Sequence, residues 1–234
     1  EHYLLVGKGV FPSEEIETKF PNNTYVYSKR HGNRVTEKGW HKYSKIHEGP
    51  KTVNKELAAL LGYLCSEGSL RRESISFHNK EESIIKDYIR VLSLCFPSIT
   101  YNIRQDTRDA EQYTVEFSSV YVAAFLEKQG CKLATSHFKE IPTCIMESPK
   151  EVVYSFLAAC IAGDGSIENI YNNAIRVHSA SRKMMEQWHI LTSSLGWVGS
   201  IGTENTKNGG KIHKVVYYGQ DAKNMLGTLT WIPE

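Results

Sequence analysis

The chain has 234 residues, 41% of them apolar, which is enough for one large domain or two smaller ones around a packed core. It contains no run of about 20 apolar residues and no basic-then-apolar N-terminal pattern, which argues against a membrane protein and a secreted one. The five cysteines form no CxxC pair, so we expect a reduced, intracellular protein without a thiol-ligated zinc site. The net charge of +2 is too small to indicate a nucleic-acid partner unless the charges are unevenly distributed.

Residues 1–50 contain a basic stretch with interleaved aromatic side chains. Eight lysines and arginines and two glutamates lie between Lys19 and Lys51. This combination favours a surface that contacts a polyanion, although a solvated loop or ribbon has the same composition. The candidate phosphate contacts in this stretch are Lys29, Arg30, Arg34 and Lys42.

An apolar helix is predicted after residue 50, with Asn54 as its N-cap and Glu67-Gly68 at its end. It is apolar almost all round, which indicates burial, and it carries small residues such as Ala58 and Gly62. Glycine is an ordinary helix stop, but a carboxylate in the last turn is not. The C-terminal end of a helix disfavours an anion by about 0.3–1 kcal/mol.

Two strands, an amphipathic helix and two further strands are predicted next. Alternation in residues 74–78 and 112–117 predicts strands with one apolar and one polar face, and residues 84–95 have helical spacing that suits the apolar face. The polar face is then free to contact base edges and phosphates, although an ordinary solvated sheet has the same pattern. The candidate contacts on this sheet are Ser76, His78, Asn102, Arg104, Gln112 and Thr114.

The second half of the chain repeats the first at an offset of 100 residues. Ile75 and His78 fall on Ile175 and His178, and apolar or aromatic residues continue to match along the following helix and strands. Each half therefore predicts the same order of elements, αββαββα. The candidate DNA contacts on the second sheet are Arg176, His178, Lys211 and Lys214.

A second buried helix is predicted to end at Asp164-Gly165, and its start combines a capping box of Ser148 and Glu151 with Pro149 at the first helical position. Its small residues favour packing against the first motif helix where the halves meet. Two carboxylates at adjacent helix ends repel each other unless a cation lies nearby, and such oxygen ligands suit Mg²⁺. Two acids that hold divalent metal at a phosphodiester activate water and stabilise the leaving oxygen.

The two motif helices resemble those of the LAGLIDADG homing endonucleases, with motif copies at residues 60–68 and 157–165. The resemblance covers residues 51–234 and implies an α+β fold of two pseudo-symmetric αββαββα halves, residues 51–145 and 146–234, with antiparallel saddle-shaped sheets on double-stranded DNA. It implies a monomer that cuts a long asymmetric target and leaves 3′ overhangs. Glu67 and Asp164, next to Gly68 and Gly165, would bind Mg²⁺ at the scissile phosphates, with Mn²⁺ as a substitute.

The resemblance also implies a catalytic lysine. Family members often have a lysine just before an Ile-Pro pair that leads into the second motif helix, and Lys139 stands in this position before Ile141-Pro142. Its implied role is to polarise water or to stabilise transition-state charge, and the alternative is a surface lysine in the connection. The aligned residue of the second half is Thr230, so we expect unequal half-sites unless Lys211 or Lys214 substitutes.

Members of this family are intron-encoded, free-standing or inserted in inteins. The glutamate of the first motif and the Ile-Pro connection favour the intein-type or archaeal branch, but we expect no splicing activity, because a nucleophilic first residue and a terminal His-Asn pair are missing. Residues 1–50 would then be an accessory DNA-contacting module or the remnant of a splicing domain. Two alternatives on the same fold are a DNA-binding regulator without cutting activity and an RNA maturase that binds intron RNA.

Overall fold

The structure is a computed structural model that describes residues 9–31, 34–105, 112–168, 174–206 and 209–229. The side chains of residues 26–38, 40 and 168 lie outside this description. Among the described residues, no helix is both long enough and apolar enough to cross a membrane.

The elements follow one another as two similar series behind an N-terminal hairpin. The hairpin consists of β1 (Thr24–His31) and β2 (Arg34–Lys42). The first repeat contains α1 (Lys55–Ser66), β3 (Gly68–Leu70), β4 (Ile75–Asn79), α2 (Glu82–Cys95), β5 (Asn102–Gln105), β6 (Tyr113–Phe117) and α3 (Val120–Lys128). A connection with a 3-10 turn (Ser136–Phe138) and the short helix α4 (Thr143–Met146) leads onward. The second repeat contains α5 (Lys150–Asp164), β7 (Gly165–Glu168), β8 (Ala174–Ser179), α6 (Arg182–Ser194), β9 (Ser200–Asn205), β10 (Lys211–Tyr217) and α7 (Gly219–Thr228).

Both repeats have the same sheet topology, so the predicted fold of two αββαββα halves is confirmed. The strand order is β3-β4-β6-β5 in the first sheet and β7-β8-β10-β9 in the second, with antiparallel pairing throughout. Alternation decides which face is covered: Ile75 and Phe77 are fully buried, whereas Ser76 and His78 lie on the open face. Helix α2 packs on the buried face, where the ring of Tyr88 stacks on that of Phe77 with centroids 4.4 Å apart.

The motif helices α1 and α5 pack side by side at the junction of the repeats, as their small residues predict. A methyl group at Gly62 would overlap the Phe156 carbonyl oxygen and lie 2.9 Å from the methyl group of Ala159. Gly163 meets the side chain of Ser66 in the same way. Because there is no space for even one extra carbon here, the ends of the two helices are fixed next to each other.

The two motif helices begin differently. Asn54 caps α1 as predicted, since its Oδ1 accepts a hydrogen bond from the Leu57 N–H at 2.9 Å. The capping box predicted for α5 is wrong. The Ser148 hydroxyl instead donates to the Cys144 carbonyl at 2.7 Å, and Pro149 is the N-cap, with no side-chain hydrogen bond to the helix. This hydrogen bond holds the Ser148 hydroxyl against the preceding short helix α4.

The described part of the N-terminal extension packs on both repeats. The ring of Phe20 lies against that of Phe125 in α3, with centroids 5.3 Å apart. The N–H of Gly9 donates to the Ser194 carbonyl at the end of α6 at 3.0 Å. Although residues 1–50 lie outside the sequence duplication, residues 9–23 are therefore part of the packed structure.

Candidate active site

The two motif acids lie together where the ends of α1 and α5 meet. Glu67 directly follows α1, and its N–H donates to the Tyr63 carbonyl at 3.2 Å. Asp164 is the last residue of α5. The two carboxyl groups are within hydrogen-bonding range of each other, with Glu67 partly buried and Asp164 exposed. The fold thus brings together two acids that are almost one hundred residues apart in the chain.

Both carboxyl groups lose protons less easily than usual. Burial raises the pKa of Glu67, and the nearby charge of Asp164 raises it further, while Lys139 and His78 oppose this. Desolvation by the surrounding protein also raises the pKa of Asp164, although its side chain reaches the surface, against the opposing effects of Lys139 and of the hydrogen bond to Glu67. The ionised pair is therefore disfavoured in the protein alone, and a cation between the two carboxylates would favour it.

The glycines that follow the acids are required by close packing. A methyl group at Gly68 would lie 2.5 Å from the Cα atom of Leu64, and one at Gly165 would lie 2.5 Å from the Ile161 carbonyl oxygen. Gly165 has an extended backbone with φ −87°, and neither glycine is among the described ones with positive φ. Their role differs from the ordinary left-handed helix stop expected from the sequence. They let β3 and β7 start directly against the helix ends.

Lys139 lies beside the acids, but its ammonium group caps a helix. The side chain is 9% exposed, and Nζ donates to the carbonyl oxygens of Leu64, Cys65 and Ser66 at 3.3, 3.1 and 2.9 Å. These carbonyls lack partners within the helix because α1 ends there. Burial lowers the pKa of Lys139, and its closeness to Cys65 and Glu67 partly offsets this. Its polarisation of a reacting water stays a prediction.

The end of α5 has a different partner. Asn79, the last residue of β4 in the first repeat, donates from Nδ2 to the Gly163 carbonyl at 3.2 Å, one residue before Asp164. Its Oδ1 accepts from the Glu81 N–H at 2.8 Å, so one side chain joins the start of α2 to the end of α5. Thr230, the predicted counterpart of the lysine position, lies outside the described residues.

The open face of the first sheet carries the predicted DNA contacts in two cross-strand rows. One row consists of Ser76, Glu116 and Asn102, and the next of His78, Thr114 and Arg104. His78 links two of the candidates, because its Nδ1 lies 2.8 Å from Thr114 Oγ1 and its Nε2 lies 3.1 Å from Ser76 Oγ. Arg104 forms an ion pair with Glu116. Gln112 lies immediately before β6 and is partly exposed.

A cavity joins the open face of the second sheet to the motif acid Asp164. Arg176 and His178 lie on this face of β8, and Lys214 of β10 lies directly opposite His178 in the strand register. Burial lowers the pKa of His178, and Lys214 forms an ion pair with Glu204. Asp164, His178 and Glu204 are among the residues that line a cavity of about 510 Å³. The second acid is therefore accessible from the sheet surface.

The strand register separates Lys211 from the other candidates. Lys211 shares its side of β10 with the buried Val215 and Tyr217, whereas Lys214 is on the open side. Lys214 therefore lies on the face expected for it, whereas Lys211, also a candidate DNA contact, is exposed at the start of the strand on the opposite side.

The predicted phosphate contacts of the N-terminal extension lie in the hairpin of β1 and β2. Lys42 is exposed at the end of β2. The strands β1 and β2 contain the other three, but their side chains lie outside the described residues: Lys29, Arg30 and Arg34.

Sequence reasoning missed three polar residues of the open sheet faces and the helix ends. Glu116 and Glu204 hold the cations of the two open sheet faces, and Asn79 caps α5. Alternation along β6 places Glu116 on the open face, so this residue could have been found from the strand pattern. The cap by Asn79 could not, because its acceptor is 84 residues away in the chain.

The fold and the second motif can be compared with known proteins. Residues 151–229 match a family model described as the LAGLIDADG-like domain. Variants of the homing endonuclease I-DmoI match the fold with a TM-score of 0.55 and 14% identity over 76% of this chain and 90% of theirs. The fold is that of the LAGLIDADG homing endonucleases. The resemblance predicted from the two motifs is thereby confirmed.

Other proteins share the LAGLIDADG fold or parts of this sequence. I-DmoI in complex with DNA and Mn matches with a TM-score of 0.53 at 14% identity, over 76% of this chain and 98% of that one. Full-length DUF199/WhiA from Thermotoga maritima matches with a TM-score of 0.54 at 14% identity. The match covers 75% of this chain and 55% of that protein. A DNA polymerase of Thermococcus kodakarensis is 28% identical over 153 residues, which are 62% of this chain and 8% of the polymerase. An uncharacterised protein of Methanocaldococcus jannaschii is 25% identical over 163 residues, which are 64% of this chain and 18% of that protein. The chain spans only a small part of these two relatives.

The side chains at the LAGLIDADG helix ends suit a divalent metal with oxygen ligands. Two carboxyl groups with raised pKa values converge there, and a dication would relieve their repulsion. Within the described residues, no group of three or more His, Cys, Asp or Glu side chains is arranged to hold a metal. Mg²⁺ usually keeps several waters and binds through one or two carboxylates together with phosphate oxygens. I-DmoI is known in complexes with DNA and Ca or Mn, and a variant of it in a DNA complex formed in the presence of Mg.

Proposed function

We propose that this chain is a site-specific endonuclease that makes a double-strand break in DNA by metal-dependent hydrolysis of phosphodiester bonds. The observation that carries the proposal is the convergence of Glu67 and Asp164 where the ends of two buried helices meet. Asp164 also lines a cavity that opens on the polar face of the second sheet. The DNA complexes of I-DmoI, which has the same fold, support it. We propose a monomer with an internal pseudo-twofold axis and an asymmetric target.

Glu67 and Asp164 would together hold Mg²⁺, and we expect Mn²⁺ to substitute. When bound, the metal would lower the pKa of a coordinated water and would neutralise charge on the phosphate and the leaving oxygen. The two carboxylates keep their separation because α1 and α5 are in contact through Gly62 and Gly163, which leave no room for sliding. Lys139 holds the end of α1 and adds a positive charge where the negative charge of the reacting phosphate increases.

The two open sheet faces supply the DNA-binding surface in this proposal. On the inner strands of the first sheet, partly exposed side chains alternate with buried ones, so the polar side chains of this face can enter a groove without disturbing the core. The predicted contacts on these faces are hydrogen-bond donors and acceptors as well as cations. Such groups contact base edges in addition to phosphates, which a site-specific nuclease requires.

We further propose that the chain is the endonuclease segment of a larger, intein-type polypeptide. Its match to only 8% of a DNA polymerase supports this, because an inserted endonuclease aligns with a small part of its host protein.

A cleavage selection tests the proposed function. The protein is incubated with duplexes that contain a randomised segment, in Mg²⁺ or in EDTA, and the cut ends are sequenced. We expect cutting at a defined sequence in Mg²⁺ and none in EDTA, with short 3′ overhangs. Sequence-specific binding without cutting in Mg²⁺ or Mn²⁺ would favour a regulator. Blunt ends or 5′ overhangs would contradict the proposed geometry.

A further inference from the structure

Each open sheet face carries a cation that is held by a carboxylate of the same face. Arg104 of β5 is paired with Glu116 of β6, and Lys214 of β10 is paired with Glu204 of β9. Both pairs are diagonal across neighbouring strands, because the residues directly opposite Arg104 and Lys214 are Thr114 and Gly202. The acids are therefore part of the surface that would face DNA.

The first pair is fixed on both sides of its carboxylate. Glu116 Oε1 accepts from the Ser74 hydroxyl at 2.8 Å, and Oε2 accepts from Arg104. Arg104 is 65% exposed, while Glu116 is 31% exposed. The carboxylate thus sits lower on the sheet and holds a guanidinium group that projects from it. A guanidinium has five N–H donors, so several are free for a second partner.

A cation held in this way is poorly suited to a phosphate contact. The carboxylate beside it cancels its charge and repels the phosphate, so the pair gains little from neutralising the DNA backbone. A base edge carries no net charge, and the acceptors O6 and N7 of guanine match the donors of arginine and lysine. An acid-held cation on this face therefore favours base readout over backbone contact.

The two pairs are placed differently in the two repeats. At the offset of 100 residues, Arg104 corresponds to Glu204, and Lys214 corresponds to Thr114. The first repeat carries its cation on the edge strand β5 and its acid on the inner strand β6. In the second repeat the edge strand β9 carries the acid and the inner strand β10 the cation. The pseudo-twofold axis consequently does not relate the two cations.

In the second pair the exposures are reversed, since Lys214 is 22% and Glu204 is 57% exposed. We propose that Glu116 and Glu204 are specificity-determining residues, because each cancels the charge of the cation beside it, so that Arg104 and Lys214 contact guanines rather than phosphates at positions that are not mirror-related in the two half-sites. This inference rests on the proposed function, because it assumes that the open faces bind duplex DNA. The carboxylates act through the cations and set base preference, whereas the active-site acids set the cleavage chemistry.

The test compares base preference at every position of the target. Binding to a duplex library with a randomised segment is measured without divalent metal for the wild type, Glu116→Gln and Glu204→Gln. Glu82→Gln and Glu186→Gln serve as controls, since these acids are paired with Lys86 and Arg182 on helices at the other side of the sheets. Each control variant also removes one negative charge, but at a position that is not on an open sheet face.

We expect Glu116→Gln to lower the preference for guanine at one base pair by roughly tenfold or more, with the other positions unchanged. Glu204→Gln should do the same at one base pair of the other half-site, and both should bind unrelated duplexes more tightly than the controls. Arg104→Gln should abolish the preference at the position that Glu116→Gln affects, which distinguishes readout from misfolding. Wild-type base preferences in both glutamine variants would overturn this inference alone. A wild type without any preferred sequence would overturn the proposed function as well.

Discussion

The ends of α1 and α5 carry equivalent acids but are stabilised by different groups. At α1, the buried ammonium group of Lys139 donates to three carbonyl oxygens. At α5, the amide of Asn79 donates to one. A cation stabilises the partial negative charge of a helix end, which a neutral amide cannot neutralise. The duplication has therefore kept the positions of the acids while their electrostatic surroundings diverged.

Replacement of Lys139 should have the largest effect on stability. Lys139→Met leaves three buried carbonyls without their donor, so we expect a loss of roughly 2–3 kcal/mol in the free energy of unfolding. Chemical denaturation measures this loss. Lys132→Met is the control, because Lys132 is an exposed lysine of the same connection, 3.9 Å from Glu140, and should cost at most about 1 kcal/mol. Equal losses for the two variants would refute the capping role.

Replacement of Asn79 should cost less, because a neutral donor to a single carbonyl is removed. We expect Asn79→Ala to lower the free energy of unfolding by about 1 kcal/mol, which includes the lost acceptor for the Glu81 N–H. The same denaturation experiment measures it. A loss as large as that of Lys139→Met would show that the two helix ends are equally dependent on their caps.

Removal of a motif charge should stabilise the protein in the absence of metal. The folded state raises the pKa of Glu67, so the protonated form is favoured and stability is lost as the pH rises through that pKa. Glu67→Gln should therefore gain roughly 0.3–1 kcal/mol at neutral pH, and the gain should vanish in acid, where the wild-type carboxyl is also protonated. Three charged or titratable groups face this carboxyl: Asp164 raises its pKa, and Lys139 and His78 lower it. Melting temperatures in EDTA across this pH range would show it, and a destabilised Glu67→Gln at neutral pH would contradict it.

Much of the fold was predictable because local patterns determine it. The alternation around Ile75 and Phe77 specified the strand faces, and the small residues around Gly62 specified the helix contact. The repeat then specified the second half. The open face of β10 was also readable, since residues 211 and 214 are three apart and must point to opposite sides.

The rest depended on contacts between distant parts of the chain. Lys139 was identified as a site residue, but its carbonyl acceptors are 73 to 75 residues away and belong to another helix. Neither propensity nor spacing contains this information about Lys139. The capping box at Ser148 failed for a local reason, since its hydroxyl donates to the Cys144 carbonyl four residues earlier in the chain.

Single-turnover cleavage of a preselected duplex in Mg²⁺, with wild type, Glu67→Gln and Asp164→Asn, tests most directly whether the two acids hold the catalytic metal. Glu82→Gln controls for the loss of one carboxylate elsewhere. We expect each motif variant to bind the duplex as the wild type does but to cut both strands about a thousandfold more slowly or worse, because the metal supplies several kcal/mol of transition-state stabilisation. Cleavage at the wild-type rate by either motif variant would contradict a shared metal site at the ends of α1 and α5.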